Sequence, residues 1–260
     1  MNSTDATRRF SSRVEHYGRH RLGYPTVLVD FLKDTCDLAP DHVVADVGCG
    51  TGLLAKLFLK NGNLVYGIEP NPEMRAGAER ALRGYDRFRS VDARGECTIL
   101  PDSSIDFVTV GRTFHWLEPE AALAEFARIL RPEGWAVIVW VNKKTSSAFM
   151  AAYDALLLTY ALDRREVIHR RRRLRRFLTD RAFQSQVFED RKAITHENLE
   201  GHTLSYSSSP APGHPLFAPM LDALRVLFNQ HQRDGRVTLE HELKVDYKRL
   251  GVRSLTNACW

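Results

Sequence analysis

The chain has 260 residues, 43% of them hydrophobic, and a formal net charge of +5, which is enough apolar material for one sizeable core, or for one domain with an insertion. No apolar run approaches the roughly 20 residues needed to span a bilayer, and the polar opening, residues 1–9, has no apolar signal-peptide core. The cysteines Cys36, Cys49, Cys97 and Cys259 show no C-x-x-C spacing, which argues against a zinc site or a disulfide scaffold and fits a reducing cytosol.

Residues 1–24 are polar and basic with scattered aromatics, and Pro25 introduces a helix over 26–36 with Val27, Leu28, Phe31 and Leu32 at helical spacing. Strands are predicted at 43–47, 64–68, 87–91, 105–110 and 135–141. Helical patterns at 52–60, 72–83 and 119–130 lie between most of them, the last opening on Glu118-Pro119-Glu120 with acids in its first turn. This alternation predicts a parallel sheet covered on both faces. After residue 143 the alternation stops, and two helical patterns, 147–162 and 165–180, come in succession. They cannot extend the sheet, so they are expected over its carboxyl edge as a cap. Two further strands are read at 184–195 and 237–250, with a helix over 215–230 and a loop over 205–215 between them. No repeat and no long linker divides the chain. The expected organisation is one domain: an N-terminal segment (1–24), a core (25–142), a helical insertion (143–183) and C-terminal strands and helix that complete the sheet (184–260).

The positive charge is concentrated. Arg164, Arg165, Arg170, Arg171, Arg172, Arg173, Arg175 and Arg176 crowd one segment, and without them the chain would be slightly acidic. One reading is a phosphate or nucleic-acid contact. The other is a solvated helix face, with Val167, Leu174, Phe177 and Leu178 as its buried stripe. No aromatics interleave the arginines, so no nucleic-acid partner is expected, while an anionic substrate or an acidic partner protein stays open beside the solvated face.

The chemistry concentrates at Val43-Val44-Ala45-Asp46-Val47-Gly48-Cys49-Gly50-Thr51-Gly52, where an apolar run ends in an acid and a glycine-rich turn. A helical pattern follows, and then a second apolar run closes on Glu69. Glycine lets a nucleoside ligand approach the backbone, and an acid at the second strand end can accept both ribose hydroxyls. The G-x-G-x-G spacing with Asp46 beside it suits a ligand with a cationic amino group better than a pyrophosphate. The ligand is therefore read as S-adenosylmethionine (SAM), with S-adenosylhomocysteine as its product.

This segment resembles the first motif of the class I SAM-dependent methyltransferases, and Ile68-Glu69-Pro70-Asn71-Pro72-Glu73-Met74 resembles their second. Pro101 to Val108, Phe114-His115-Trp116 and Leu130 to Trp135 are similar to the approach, exit and turn around the fourth and fifth strands of the small-molecule branch often labelled methyltransferase type 11. The resemblance implies a Rossmann-like, doubly wound α/β fold with a seven-stranded sheet whose last strand is antiparallel. It assigns Asp46, Gly48, Cys49 and Gly50 to the methionine end of SAM and Met74 to adenine, and it puts Pro70, beside Glu69, among the cofactor-binding residues. Cys49 serves equally as filler, Met74 as helix core and Asn71 as a helix cap.

The third strand departs from the family pattern. Counting back from Leu100-Pro101 sets Gly95 and Glu96 on the adenine side, and Arg94 then stands where relatives carry an acceptor. Backbone at Gly95 is preferred, with Asp92 held open. The segment from Phe10 to Pro25 is similar to a lid in which Tyr17 and Arg21 fold over the SAM amino acid, although His20 and Leu22 replace the usual tyrosine and proline. Gly111 and Arg112 fall where backbone meets the methionine end.

Methyl transfer from a sulfonium needs mainly alignment and water exclusion. His115 is the expected base if the nucleophile must lose a proton, its alternative being a structural histidine; Trp116 is expected to wall the pocket. His202, Tyr206 and His214 lie in later segments with access to substrate. The expected protein is a soluble, cytoplasmic SAM-dependent methyltransferase without metal, monomeric or homodimeric, acting on N, O or C of a small organic molecule such as a secondary metabolite. The alternatives are an enzyme using SAM in a non-methyl reaction such as cyclisation, and a non-catalytic scaffold binding through the arginine segment. No membrane partner is expected.

Overall fold

The computed structural model describes residues 14–162 and 174–250. Its frame is a seven-stranded sheet in the order β3-β2-β1-β4-β5-β7-β6. The strands are β1 Val43–Val47, β2 Leu64–Ile68, β3 Phe88–Val91, β4 Ile105–Gly111, β5 Leu130–Lys143, β6 Gln184–Ile194 and β7 Val237–Arg249. β1 to β5 pair in parallel, and β7 runs antiparallel to both β5 and β6. The predicted starts match to within a residue or two, except that β5 begins at Leu130 rather than 135, with a register shift between the Ile105 and Phe107 pairings.

The sheet forms because its central strands are apolar on both faces, as parallel strands under helices must be. Successive residues point to opposite faces. Val44 on one face packs with Leu28 and Leu32 of α2 (Val27–Cys36) and Phe58 of α3 (Ala55–Asn61). Ala45 and Val47 on the other pack with Phe126 and Ile129 of α5 (Pro119–Ile129). α4 (Pro72–Leu82) is started by Asn71, whose Oδ1 accepts from the Met74 amide at 2.8 Å, with Pro72 in its first turn.

Three elements differ from expectation. α1 (Val14–His20) is a helix inside the segment read as polar and basic. α7 (His196–Leu204) has weak apolar periodicity and gave no helical signal, because its buried face includes Gly201 and His202 beside Leu199 and Leu204. Gly201 is where α1 docks: a Cβ there would lie 2.2 Å from His20 Cγ. Of the second predicted cap helix, residues 165–173 lie outside the described residues, as do Arg164, Arg165, Arg170, Arg171, Arg172 and Arg173. Residues 174–180 are helical, and Leu174 and Leu178 are buried in the sheet's second core cluster beside Trp140.

β5, β7 and β6 run on past the end of β4, where Gly111 pairs with Val139 while β5 continues to Lys143. On this extension sit α6 (Ala148–Tyr160), α7 and α8 (Phe217–His231), joined by a third core cluster of Phe149, Tyr153, Leu199, Leu224, Phe228 and Leu239. The cap is therefore built from α6, α7 and α8 rather than from the 147–180 helices alone. No helix among the described residues is long and apolar enough to cross a membrane.

The loop before β4, which forms one wall of the site, is fixed by Glu125 of α5. Its Oε1 accepts from the Thr98 amide at 2.7 Å and hydroxyl at 2.6 Å, and Arg128 donates to both oxygens. The Arg128 guanidinium chiefly, with the Thr98 donors, holds the Glu125 carboxyl at about 2, down from 4.5. A folded pKa below the unfolded one means stabilisation that is present above pH 4.5 and lost as pH falls through about 2. Glu125→Gln is expected to lower stability by about 1–3 kcal/mol at neutral pH. In denaturant titrations between those two pH values, the difference from wild type should shrink as the pH falls.

Candidate cofactor and acceptor site

The site lies beyond the carboxyl ends of β1, β2 and β4, where open α/β sheets collect ligands. The turn after β1 holds Gly48 at φ 65° and Gly50 at φ 57°, a left-handed backbone that favours glycine. A Cβ on Gly48 would meet Thr113 Cγ2 at 2.3 Å, and one on Gly50 would face Met74 Cε at 3.1 Å.

Two buried carboxylates brace this turn. Asp46 accepts from the Thr109 hydroxyl at 3.2 Å and from the Ala55 amide at 3.0 Å, so it ties β1 to β4 and to the start of α3. Burial pushes its carboxyl up to about 7 against those hydrogen bonds. Glu69 accepts from the Gly50 amide at 2.9 Å with Oε2 and from the Asn71 amide at 3.0 Å with Oε1. Burial raises its carboxyl as well.

A cavity of about 110 Å³ opens between these elements. Of the expected cofactor residues, Tyr17, Gly48, Gly50, Glu69, Pro70, Met74, Gly95, Glu96 and Arg112 line it. Asp46 and Cys49 do not: the Asp46 carboxylate is turned under the loop to its two donors, and the buried Cys49 thiol packs toward Gly67. Arg21 is also off this wall, because α1 seats its guanidinium over the Tyr206 ring at 4.3 Å and its Nη1 donates to Ser205 Oγ at 3.2 Å. Asp92, held open above, pairs with Arg75 at 2.8 Å on an exposed edge. Asn71 takes its capping role and lines the cavity too.

A second cavity of about 450 Å³ adjoins the first, and the two share Tyr17, Arg112 and Trp116. Its wall carries His115, with Arg21, Lys143, Arg175, His202, Tyr206 and His241. His115 lines this cavity and not the first, its ring 4.9 Å from that of Trp116. His202 Nε2 lies 3.1 Å from the Tyr206 hydroxyl. Burial, and then the Arg21 charge, pushes His202 well below the usual histidine range. Burial and then Arg112 lower His241 to about 3. Both imidazoles are neutral. His214 is not part of the wall; its Nδ1 accepts from the Leu216 amide at 3.1 Å.

Several wall residues escaped sequence reasoning. Thr113 places its hydroxyl 3.1 Å from the Gly48 carbonyl and 2.9 Å from that of Gly111, locking the β4 exit to the turn. The buried Tyr24 ring supports the Arg112 guanidinium 4.5 Å away, while Arg112 Nη1 donates to the Leu22 carbonyl at 2.8 Å. Leu117 completes this wall beside Arg94, the residue that the sequence already set where relatives carry an acceptor. Thr113, Tyr24 and Leu117 each act through a contact that spacing does not encode.

The methyltransferase domain family matches residues 45–138. An uncharacterized methyltransferase of Mycobacterium tuberculosis is 35% identical over 138 residues, covering 52% of this chain and 53% of that protein. The chain thus spans about half the length of this mycobacterial relative. An uncharacterized methyltransferase of Geobacillus kaustophilus is 32% identical over 157 residues, 56% of this chain and 71% of that protein. Among solved structures, a proposed type II methyltransferase from Anaeromyxobacter dehalogenans superposes with a TM-score of 0.62 at 21% identity, over 88% of this chain and 98% of that one. That last likeness is one of fold.

Gly50→Val puts a β-branched side chain at a left-handed position, aimed at Met74 in the first cavity. Titration calorimetry with S-adenosylhomocysteine is expected to show one site in the wild type and none in this variant, whose circular dichroism stays that of a folded α/β protein.

Proposed function

The chain belongs to the class I SAM-dependent methyltransferases, and we propose that it transfers a methyl group from SAM, held in the first cavity, to a small organic acceptor held in the second. The observation that supports this most is the junction of the two cavities at Tyr17, Arg112 and Trp116. One wall carries the glycine turn and Glu69, and the other carries titratable groups under the cap.

The residues present fit the cofactor. Each Glu69 oxygen already accepts one main-chain N–H, which leaves lone pairs on both for two ribose hydroxyls. Met74 and Leu117 offer apolar faces to adenine, and the missing side chain at Gly95 leaves backbone exposed to it. A Cβ at Gly95 would strike Val47 at 2.6 Å and Leu117 at 2.9 Å, so the loop sits tight against the core. Tyr17 takes the amino-acid end from the α1 side, with Arg112 opposite, while Arg21 stays with Tyr206 and Ser205 on the cap side. Asp46 acts beneath the turn: it fixes the start of α3 and so the direction of the turn's amides. When bound, SAM supplies an electrophilic methyl on a sulfonium whose leaving group is a neutral thioether.

The chain's own work is then alignment and exclusion of water. α1 closes one side by docking His20 on Gly201, and α6 and α7 roof the acceptor cavity. His115 faces the acceptor cavity next to Trp116, one of the three residues that both cavities share, and is the proposed base for an acceptor that loses a proton. His202, neutral and bonded to Tyr206, positions that phenol in the same wall.

The test is acceptor-dependent formation of S-adenosylhomocysteine by the purified protein across a set of small nucleophiles. In the active pairing, His115→Ala is expected to lower turnover by roughly two to four orders of magnitude with SAM affinity unchanged. His115→Asn retaining most of the activity would instead make it a pocket-shaping residue. Absence of SAM binding by calorimetry would remove the proposal.

A further inference from the structure

Three guanidinium groups reach the second cavity from distant parts of the chain: Arg21 after α1, Arg112 after β4 and Arg175 in the helical segment 174–180. Each has a buried Nε without a hydrogen-bond partner. Their other bonds go to neutral acceptors: Arg21 to the Ser205 hydroxyl, Arg112 to the Leu22 carbonyl, and Arg175 Nη2 to Asn142 Oδ1 at 2.6 Å. Among the described residues, no ion pair joins any of the three to a carboxylate. The two acids in the wall are committed elsewhere, Asp154 to Lys143 at 2.9 Å and Glu242 to the Asn142 amide at 3.3 Å.

Unanswered charge in a cavity wall is costly, because buried cations lose hydration and regain it only from an opposing anion. His202 and His241, both neutral, do not offset it. SAM does not offset it either. Its one carboxylate can answer at most one of the three, and its ammonium and sulfonium bring a further net positive charge to the same place. The remaining excess must be met by the acceptor.

Building on the proposed reading of the second cavity as the acceptor site, we infer that the acceptor is a small organic anion whose carboxylate or phosphate group is held by Arg175. Of the three arginines, Arg112 lines both cavities and Arg21 lies 5.5 Å from the ring of Tyr17, which both cavities share, whereas Arg175 lines the second cavity and not the first. It rests 6.0 Å from the Trp140 ring and is oriented through Asn142 on β5. With one Nη2 hydrogen on Asn142, its Nε–H and remaining N–H groups present the planar fork that pairs with two anion oxygens. Arg112, which both cavities share, then faces the acceptor's reactive end. The anion is thereby kept at the cap side and the nucleophile directed toward the cofactor.

The experiment is calorimetry on the full chain saturated with S-adenosylhomocysteine, titrated separately with inorganic phosphate and with succinate, in wild type and in Arg175→Gln. Binding of one or both probes is expected, weakening as ionic strength rises and at least about tenfold weaker in the variant. The variant's affinity for S-adenosylhomocysteine should be unchanged. Phosphate alone binding would identify a phosphate group, and succinate alone a carboxylate. Normal S-adenosylhomocysteine binding with no response to either probe, or a response that Arg175→Gln leaves intact, overturns this inference and leaves the cofactor reading standing. Loss of S-adenosylhomocysteine binding in the wild type is the separate failure, that of the cofactor reading itself.

Discussion

The structure depends on two carboxylates buried beneath and beside a glycine turn. Asp46 and Glu69 end adjacent parallel strands, and each is removed from water at a cost that only hydrogen bonds offset. Their donors are mostly main-chain amides: Ala55 for Asp46, and Gly50 and Asn71 for Glu69. Because amides are fixed by the fold, these bonds set the path of the chain as much as they satisfy the acids. The turn cannot shift without stranding a buried charge. Its glycines are required for the same reason, since Thr113 and Met74 fill the space where side chains would go. The raised carboxyl of Asp46, about 7, measures how little solvent reaches it.

From that fixed turn the remaining geometry follows in layers. β4 leaves the sheet beside it, and Thr113 latches the exit to Gly48, so Arg112, His115 and Trp116 are delivered to one place. β5 and β7 continue beyond this edge because their antiparallel pairing needs no crossover helix. The extension gives α6, α7 and α8 an apolar platform of their own. The cap is thus anchored to the sheet by strands, while α1 bridges it to the core: Val14 packs at Gly77 of α4 and His20 at Gly201 of α7.

The acceptor wall contrasts chemically with the cofactor wall. The first cavity sets Glu69 and Glu96 against Arg94 and Arg112, whereas in the second Arg21, Arg112, Arg175 and Lys143 outnumber Asp154 and Glu242. A negatively charged partner would find complementary surroundings in the second. Burial first, and then the Arg21 and Arg112 charges, hold His202 and His241 below the usual histidine range.

The sequence by itself determined the order of strands and helices through the core. Apolar runs ending in Asp46 and Glu69, and periodic helices between them, are local signals of burial on two faces. It also marked the glycine turn by its spacing after the first strand, and Met74, Gly95 and His115 through their resemblance to the family's motifs. α1 and α7 were not legible, since each short helix is stabilised by docking on the other through His20 and Gly201 rather than by an apolar stripe of its own. Tertiary structure alone decided that Asp46 faces down into the fold, that Arg21 belongs to the cap side, and that Arg175 meets Asn142 across 33 positions of chain. Which buried group finds which partner is fixed by packing between distant segments, and spacing along the chain carries no record of it.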